Sequence, residues 1–240
     1  MAWHIIEGEA GCAFAREQGA VAVVVDALRA SATAAMLLHH GARELWVLPE
    51  VEEASAAKKH WPDALLYGER GGLPPAGFDH GNSPAEAEAA SGRRVIFTTT
   101  TGAGRLVAAW GAAAAYLGTT LNAGATAAAA ARHGRDVVLI PAGLMDDPGF
   151  DAQEDRVAAV AIAMQAGVVP DDGREVFDRW RPRIEAQGVE ALFQAAPHAD
   201  KLRKIGKEAD IARCARLHVT GIVCRAAESR PPGVIVRAES

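Results

Sequence analysis

The chain alternates between two kinds of segment. Short apolar runs fall at residues 19–27, 44–49, 64–68, 93–99, 113–118 and 135–143, and they lack the strict polar alternation of a half-exposed strand. Such runs predict strands covered on both faces, as parallel sheets are. Alanine-rich stretches of helical character lie between them. In "ASATAAMLLHHG" the expected N-cap is Ser31 and the expected stop is Gly41. In "NSPAEAEAA" Ser83, Pro84 and Glu86 have the spacing of a full capping box. Asn122 is placed to cap "AGATAAAAARH", which Gly134 would end, and "DAQEDRVAAVAIAMQAG" predicts a helix of about four turns. From roughly residue 171 the pattern becomes charged and helical, then closes with two short apolar runs, "VTGIVC" and "GVIV". The rhythm predicts a layered α/β/α domain with a mostly parallel sheet and a more helical C-terminal part. With no repeat and no low-complexity linker, residues 1–240 are expected to form a single domain.

Composition narrows the function. Half of the 240 residues are hydrophobic, 23% are charged and the formal net charge is -5. That is a globular composition, and it offers no basic face for a nucleic acid. Three cysteines, Cys12, Cys214 and Cys224, show no C-x-x-C spacing, so neither a disulfide framework nor a zinc site is expected, and a reducing cytoplasm fits. The start "MAWHIIEGEAG" lacks the basic residues of a signal peptide, and no apolar run is long enough to span a bilayer. Alanine-rich helix faces would permit a close homodimer, and they pack equally well within one chain.

Four stretches concentrate chemistry. In "VVVDALRAS" a buried strand ends in Asp26, with Arg29, Ser31 and Thr33 at a helix mouth. The carboxyl edge of an open α/β sheet is where ligands bind, and an arginine fork suits phosphate. The plainer alternative is an Asp26–Arg29 ion pair at the helix entrance. "VIFTTTTGAGR" follows a strand with Thr98, Thr99, Thr100 and Thr101, then Gly102. Its amides and hydroxyls could cradle a phosphate, although threonines also simply favour strands. "YGERGGLPPAGFDHGNSP" packs Glu69, Arg70, Asp79, His80, Asn82 and Ser83 between glycines, supplying oxygens for a hard cation and donors for a phosphate. A solvated surface loop is its alternative, with His80 a bystander. Asp146, Asp147, Asp151, Glu154 and Asp155 form an acidic cluster, the last two accounted for by the helix macrodipole. Asp210 is expected to be an exposed helix residue on the same reasoning.

Taken together, "VVVDALRASAT", "YGERGG", "GFDHGNSP", "TTTTG", "LNA" at 121–123, "QEDRVAA" and "LRKIGKEADIARCA" resemble the 2-phosphosulfolactate phosphatases of the ComB type. These are magnesium-dependent enzymes associated with coenzyme M biosynthesis. The family's T-T-T-N-G-T is T-T-T-T-G-A here, ending at Ala103, which bears on substrate preference and motivates an alternative, a phospho-metabolite binding protein without turnover. The resemblance implies hydrolysis of the phosphate monoester of 2-phosphosulfolactate or a related 2-phospho-hydroxy acid. It implies catalytic roles for Asp26, Arg29, Glu69 and Asp79. Substrate contacts would come from Ser31, Arg70, Asn82, Ser83, Thr98, Thr99, Thr100, Thr101, Gly102 and Asn122, and Mg2+ ligands from Asp26, Glu69, Asp79 and Glu154. Leu28 stands where a D-x-D phosphatase would carry its second aspartate, so Asp26 is expected to be a metal ligand or general base rather than a phosphorylated nucleophile.

Overall fold

A computed structural model describes residues 1–145, 147 and 149–239, so Asp146 of the acidic cluster lies outside the described residues. The six predicted strands are all present: β2 (Val21–Val25), β3 (Glu44–Val47), β4 (Leu65–Gly68), β5 (Arg94–Thr98), β6 (Ala114–Leu117) and β7 (Val137–Pro141). Three more join them among the described residues. The strand β1 (Trp3–Ile5) pairs along β7, and the two late apolar runs become β8 (Val223–Arg230) and β9 (Gly233–Glu239). The helices are α1 (Gly8–Glu17), α2 (Ala30–His39), α3 (Val51–Ala57), α4 (Gly102–Ala108), α5 (Ala123–Ala131), α6 (Gln153–Ala166), α7 (Arg174–Gln194), α8 (Pro197–Lys204) and α9 (Ala209–Cys214). Among the described residues no helix is long and apolar enough to cross a membrane.

All nine strands form one sheet in the order β1-β7-β2-β6-β8-β9-β3-β5-β4. The first four and the last three are parallel sets, and the β8–β9 hairpin bridges them through antiparallel pairings with β6 and β3. Three antiparallel steps in succession make the two parallel sets run in opposite senses. Strand twist of about 20–25° per pair accumulates across the five steps from β2 to β5. The crossing this produces lets the carboxyl ends of the two sets approach each other.

Side-chain alternation divides the core. Val21, Val23 and Val25 face one layer, with Ala127 of α5, Val157 of α6, Phe177 of α7 and Ile211 of α9. Ala22 and Val24 face the other, with Cys12 of α1, Leu37 of α2 and Leu106 of α4. A smaller cluster of Trp46, Trp61, Ile96 and Ile235 packs against α3. The three cysteines are buried and free.

Helix ends follow the sequence less closely than helix bodies. α2 begins at Ala30, so Ser31 lies inside the helix and does not cap it, whereas Gly41 takes φ +91° just past its end, as expected of a stop. Ser83 caps Pro84–Ala90, which is a 3-10 helix, and accepts from the Ala85 N–H at 3.3 Å. The Glu86 carboxylate accepts from Gly81 N–H at 2.8 Å, so the expected reciprocal box is not closed. Asn122 precedes α5 but accepts from Thr119 N–H at 2.9 Å, capping the short turn before the helix.

The seam between hairpin and β3 is tight at Gly233, where an added Cβ would stand 2.0 Å from the Val47 carbonyl oxygen. Gly233→Ala is expected to lower stability by about 1–3 kcal/mol, the usual cost of overpacking. The shift in urea unfolding midpoint measures it.

Candidate functional site

The site begins where β2 stops. Its five residues are buried, and the next carboxylate, Asp26, turns the chain. Asp26 Oδ1 accepts from Ala30 N–H at 3.1 Å, the Asp26 N–H donates to Ser31 Oγ at 3.1 Å, and Ser31 donates to Val24 O at 3.3 Å. Ser31 is therefore engaged in holding the turn and does not line the cavity beside it. Gly102 stands against this turn from α4: a Cβ there would lie 2.6 Å from Asp26 Oδ2. It would also lie 2.7 Å from Ala30 Cβ, so only glycine lets α4 come this close to the turn.

Arg29 is 3% exposed and donates to Asp210 Oδ2 and to Gly72 O, both at 2.7 Å. Asp210 Oδ1 also accepts from Ser83 Oγ at 2.7 Å. Arg29 is thus ion-paired, but with Asp210 rather than the neighbouring Asp26. Asp210 is 3% exposed, which corrects the expectation of a solvated helix residue. Its helix turns inward because burying a charge requires a partner, and Arg29 provides one. Two of the guanidinium's five N–H donors are engaged in these bonds.

Glu69, at the end of β4, joins two loops. Oε1 accepts from Thr100 N–H at 2.7 Å, while Oε2 accepts from Gly72 N–H at 2.8 Å and Thr100 Oγ at 3.1 Å. Thr99 Oγ1 accepts from Ala103 N–H at 3.0 Å and Thr101 Oγ1 from Met145 N–H at 3.4 Å. Asn82 lines the same space, and its buried Oδ1 has no partner among the described residues.

These groups surround a cavity of about 320 Å3 at which the carboxyl ends of β2, β4, β5 and β7 meet. Of the expected residues, Asp26, Arg29, Glu69, Asn82, Thr100 and Thr101 line it. Others are placed elsewhere. Asp79 accepts from Leu66 N–H at 2.8 Å, with Lys58 at 3.9 Å. Arg70 turns to the carbonyls of Glu69 and Pro49 and to Thr98 Oγ1. Asn122 holds Ile222 O at 3.0 Å. Ser83 and Thr99 support the walls through the bonds already described. His80 stacks on Tyr67 away from the cavity.

Three titratable cavity residues, Asp155, His198 and Lys201, were not expected at the site from the sequence. Asp155 accepts from Ala27 N–H at 2.8 Å and Gly143 N–H at 3.2 Å, tying β7's exit to that of β2. Its neighbour Glu154 is buried, with Oε1 on His198 Nδ1 at 2.9 Å and Oε2 without a partner among the described residues. His198 and Lys201 enter from α8, and Lys201 Nζ sits 3.9 Å from the centre of the Phe150 ring. No local pattern marks His198 or Lys201, because α8 reaches the sheet edge only through tertiary packing.

Electrostatics mark the spot. Burial pushes the Asp26 carboxyl up to about 6, helped by the charges of Glu69 and Glu154 and opposed by the Ala30 N–H and His198. Burial, with Glu154 and Asp26 beside it, raises Asp155 well above the usual range. Burial acts to lower His198, but its bond to Glu154 and the nearby carboxylates outweigh this and raise it.

Mutually repelling carboxylates favour a cation among them. Among the described residues no three His, Cys, Asp or Glu side chains are grouped as metal ligands. Mg2+, however, commonly takes one or two carboxylates, several waters and the substrate phosphate. Glu69 and Asp155 have both oxygens in hydrogen bonds and Asp79 lies apart, so among the described residues the oxygens without a partner are Asp26 Oδ2, in the cavity lining, and Glu154 Oε2, which is buried and does not line the cavity. This reduced donor set fits that mode of Mg2+ binding.

A buried arginine and clustered carboxylates share one cavity at the carboxyl edge of an α/β sheet, where open α/β folds bind ligands. The family model described as 2-phosphosulpholactate phosphatase matches residues 12–229. A Deinococcus radiodurans protein named probable 2-phosphosulfolactate phosphatase is 37% identical, over 85% of this chain and 86% of its own. A Thermus thermophilus protein of the same name is 38% identical over 82% and 84%, and one from Carboxydothermus hydrogenoformans 32% over 84% of each. The chain belongs to the 2-phosphosulpholactate phosphatase family and is an enzyme of that type.

Removing Asp210 leaves Arg29 buried without its counter-charge and Ser83 without an acceptor. Asp210→Ala is expected to cost about 3–5 kcal/mol, as loss of one partner of a buried pair does. Urea unfolding of the variant against the parent chain checks this.

Proposed function

We propose that the chain hydrolyses the phosphate monoester of 2-phosphosulfolactate, releasing sulfolactate and phosphate, and that it requires Mg2+. The observation that carries this reading is the convergence of four strand ends on one cavity holding both a buried arginine and a cluster of carboxylates. The substrate follows from the name its relatives carry. A cavity of about 320 Å3 lies at the small end of the usual range of ligand pockets, about 300–1,000 Å3, which suits a three-carbon phosphoester.

Hydrolysis breaks the P–O bond, leaving the water's oxygen on phosphorus and a proton on the departing C2 oxygen. Arg29 holds the phosphoryl group with the N–H donors that Asp210 and Gly72 leave free, and its burial makes each of those bonds stronger than in water. The Asn82 amide lines the cavity and donates from Nδ2 to the substrate's anionic oxygens. Glu69 keeps the Gly72 and Thr100 loops at fixed separation and so sets the shape of the cavity. Asp26, with Glu154 behind it, would hold Mg2+, which when bound offsets phosphoryl charge and orients substrate and water.

Phosphate release from 2-phosphosulfolactate is expected with Mg2+ present, to stop with EDTA and to return when Mg2+ is restored. Arg29→Met is expected to lower kcat/KM by roughly 100-fold to 1,000-fold, the scale of losing a fixed donor to developing charge. Asp26→Asn is expected to weaken Mg2+ binding in calorimetry as well as turnover. Absence of metal-dependent release from both this ester and 2-phospholactate would overturn the reading.

A further inference from the structure

The cations lining the cavity are not equivalent. Arg29 lies at its floor, buried and paired with Asp210, and His198 is held by Glu154. Lys201 is exposed at the mouth and has no carboxylate within 4.0 Å among the described residues. Its neighbours on the same stretch differ: Arg203 pairs with Asp200 at 2.6 Å and Lys207 with Glu86 at 3.4 Å. The Phe150 ring, 3.9 Å from Nζ, gives the ammonium a fixed seat through cation–π attraction without neutralising it. Leu202 and Ile205 follow it along the wall. The result is a cavity with Arg29 at its floor, Lys201 at its mouth beside apolar surface, and the carboxylates of Asp26, Glu69 and Asp155 in the rest of its lining.

Such a cavity is complementary to a short molecule that carries two anionic groups on neighbouring carbons. We infer that Lys201 is the specificity-determining residue that binds the sulfonate, the one of the substrate's three anionic groups that 2-phospholactate lacks, at the mouth while Arg29 holds the phosphate at the floor. The inference rests on the phosphatase reading above and assigns it a discriminating residue. An ammonium is suited to this role because a sulfonate presents three equivalent oxygens and needs a point charge more than a planar fork.

The test uses the full chain with Mg2+ and compares 2-phosphosulfolactate with 2-phospholactate, which keeps the carbon frame and phosphate but lacks the sulfonate. The wild-type chain is expected to prefer the sulfonate ester. Lys201→Met is expected to lower the ratio of the two kcat/KM values by roughly tenfold or more, the scale of one charged hydrogen bond, mainly through the KM of the sulfonate ester. Lys201→Arg is expected to restore most of the ratio. An equal fall on both esters, or an unchanged ratio, overturns the assignment while leaving the phosphatase reading intact. Calorimetry with sulfolactate against lactate reads the same discrimination without turnover. A preference for sulfolactate that Lys201→Met abolishes supports the assignment even if neither ester is hydrolysed, and its absence in the wild-type chain overturns it.

Discussion

The structure around the cavity depends on one buried ion pair. Arg29 leaves the β2 turn and meets Asp210 from α9, nearly two hundred residues later, and Asp210 in turn holds Ser83 while Arg29 holds the Gly72 carbonyl. Four separate segments are fixed by three hydrogen bonds of 2.7 Å. Desolvating two charges is costly, and a hydrophobic pair of similar volume could stabilise the fold as well or better. What a hydrophobic pair could not do is leave guanidinium N–H donors free beside the cavity. On the proposed reading the pair links tertiary assembly to anion recognition, since the groups that bring α9 to the sheet are those that keep Arg29 oriented.

A second network does the same for the opposite wall with less charge. Glu69 takes three hydrogen bonds from the glycine and threonine loops, and Asp155 takes two from the ends of β2 and β7. Carboxylates used this way act as backbone acceptors, which removes them from a metal's reach. That division of labour explains why a stretch so rich in acids leaves few carboxylate oxygens unpaired at the cavity: most of the acids position loops, and Asp26 lines the cavity with its second oxygen not used by the turn.

Much of this was legible in the chain. Apolar runs bounded by turn residues fixed β2 to β7 to within two residues, because strands buried on both faces leave a strong local mark. β1 has three residues, too few for periodicity to register, and the place of the hairpin in mid-sheet depends on pairing with strands far away in sequence. Among site residues the strand-end groups Asp26, Glu69, Thr100 and Thr101 were readable, since a polar residue after a buried strand has few places to go. Asp79, Arg70 and Asn122 shared that local signature, yet the nearest unsatisfied backbone groups took them. Asp210, His198 and Lys201 sit on helices of ordinary amphipathic character, and only packing reveals which of their faces meets the sheet edge.

The hairpin β8–β9 has a consequence for how the fold is reached. It is the sole link in the sheet between the two parallel sets among the described residues, and it comes from residues 223–239. As the chain emerges during synthesis, the inner edges of β6 and β3 therefore stay open until almost all of the described chain has been made. Unpaired strand edges invite pairing with other chains. The two halves can each form their βα units early, but the cavity between them exists only once the last seam of the sheet closes.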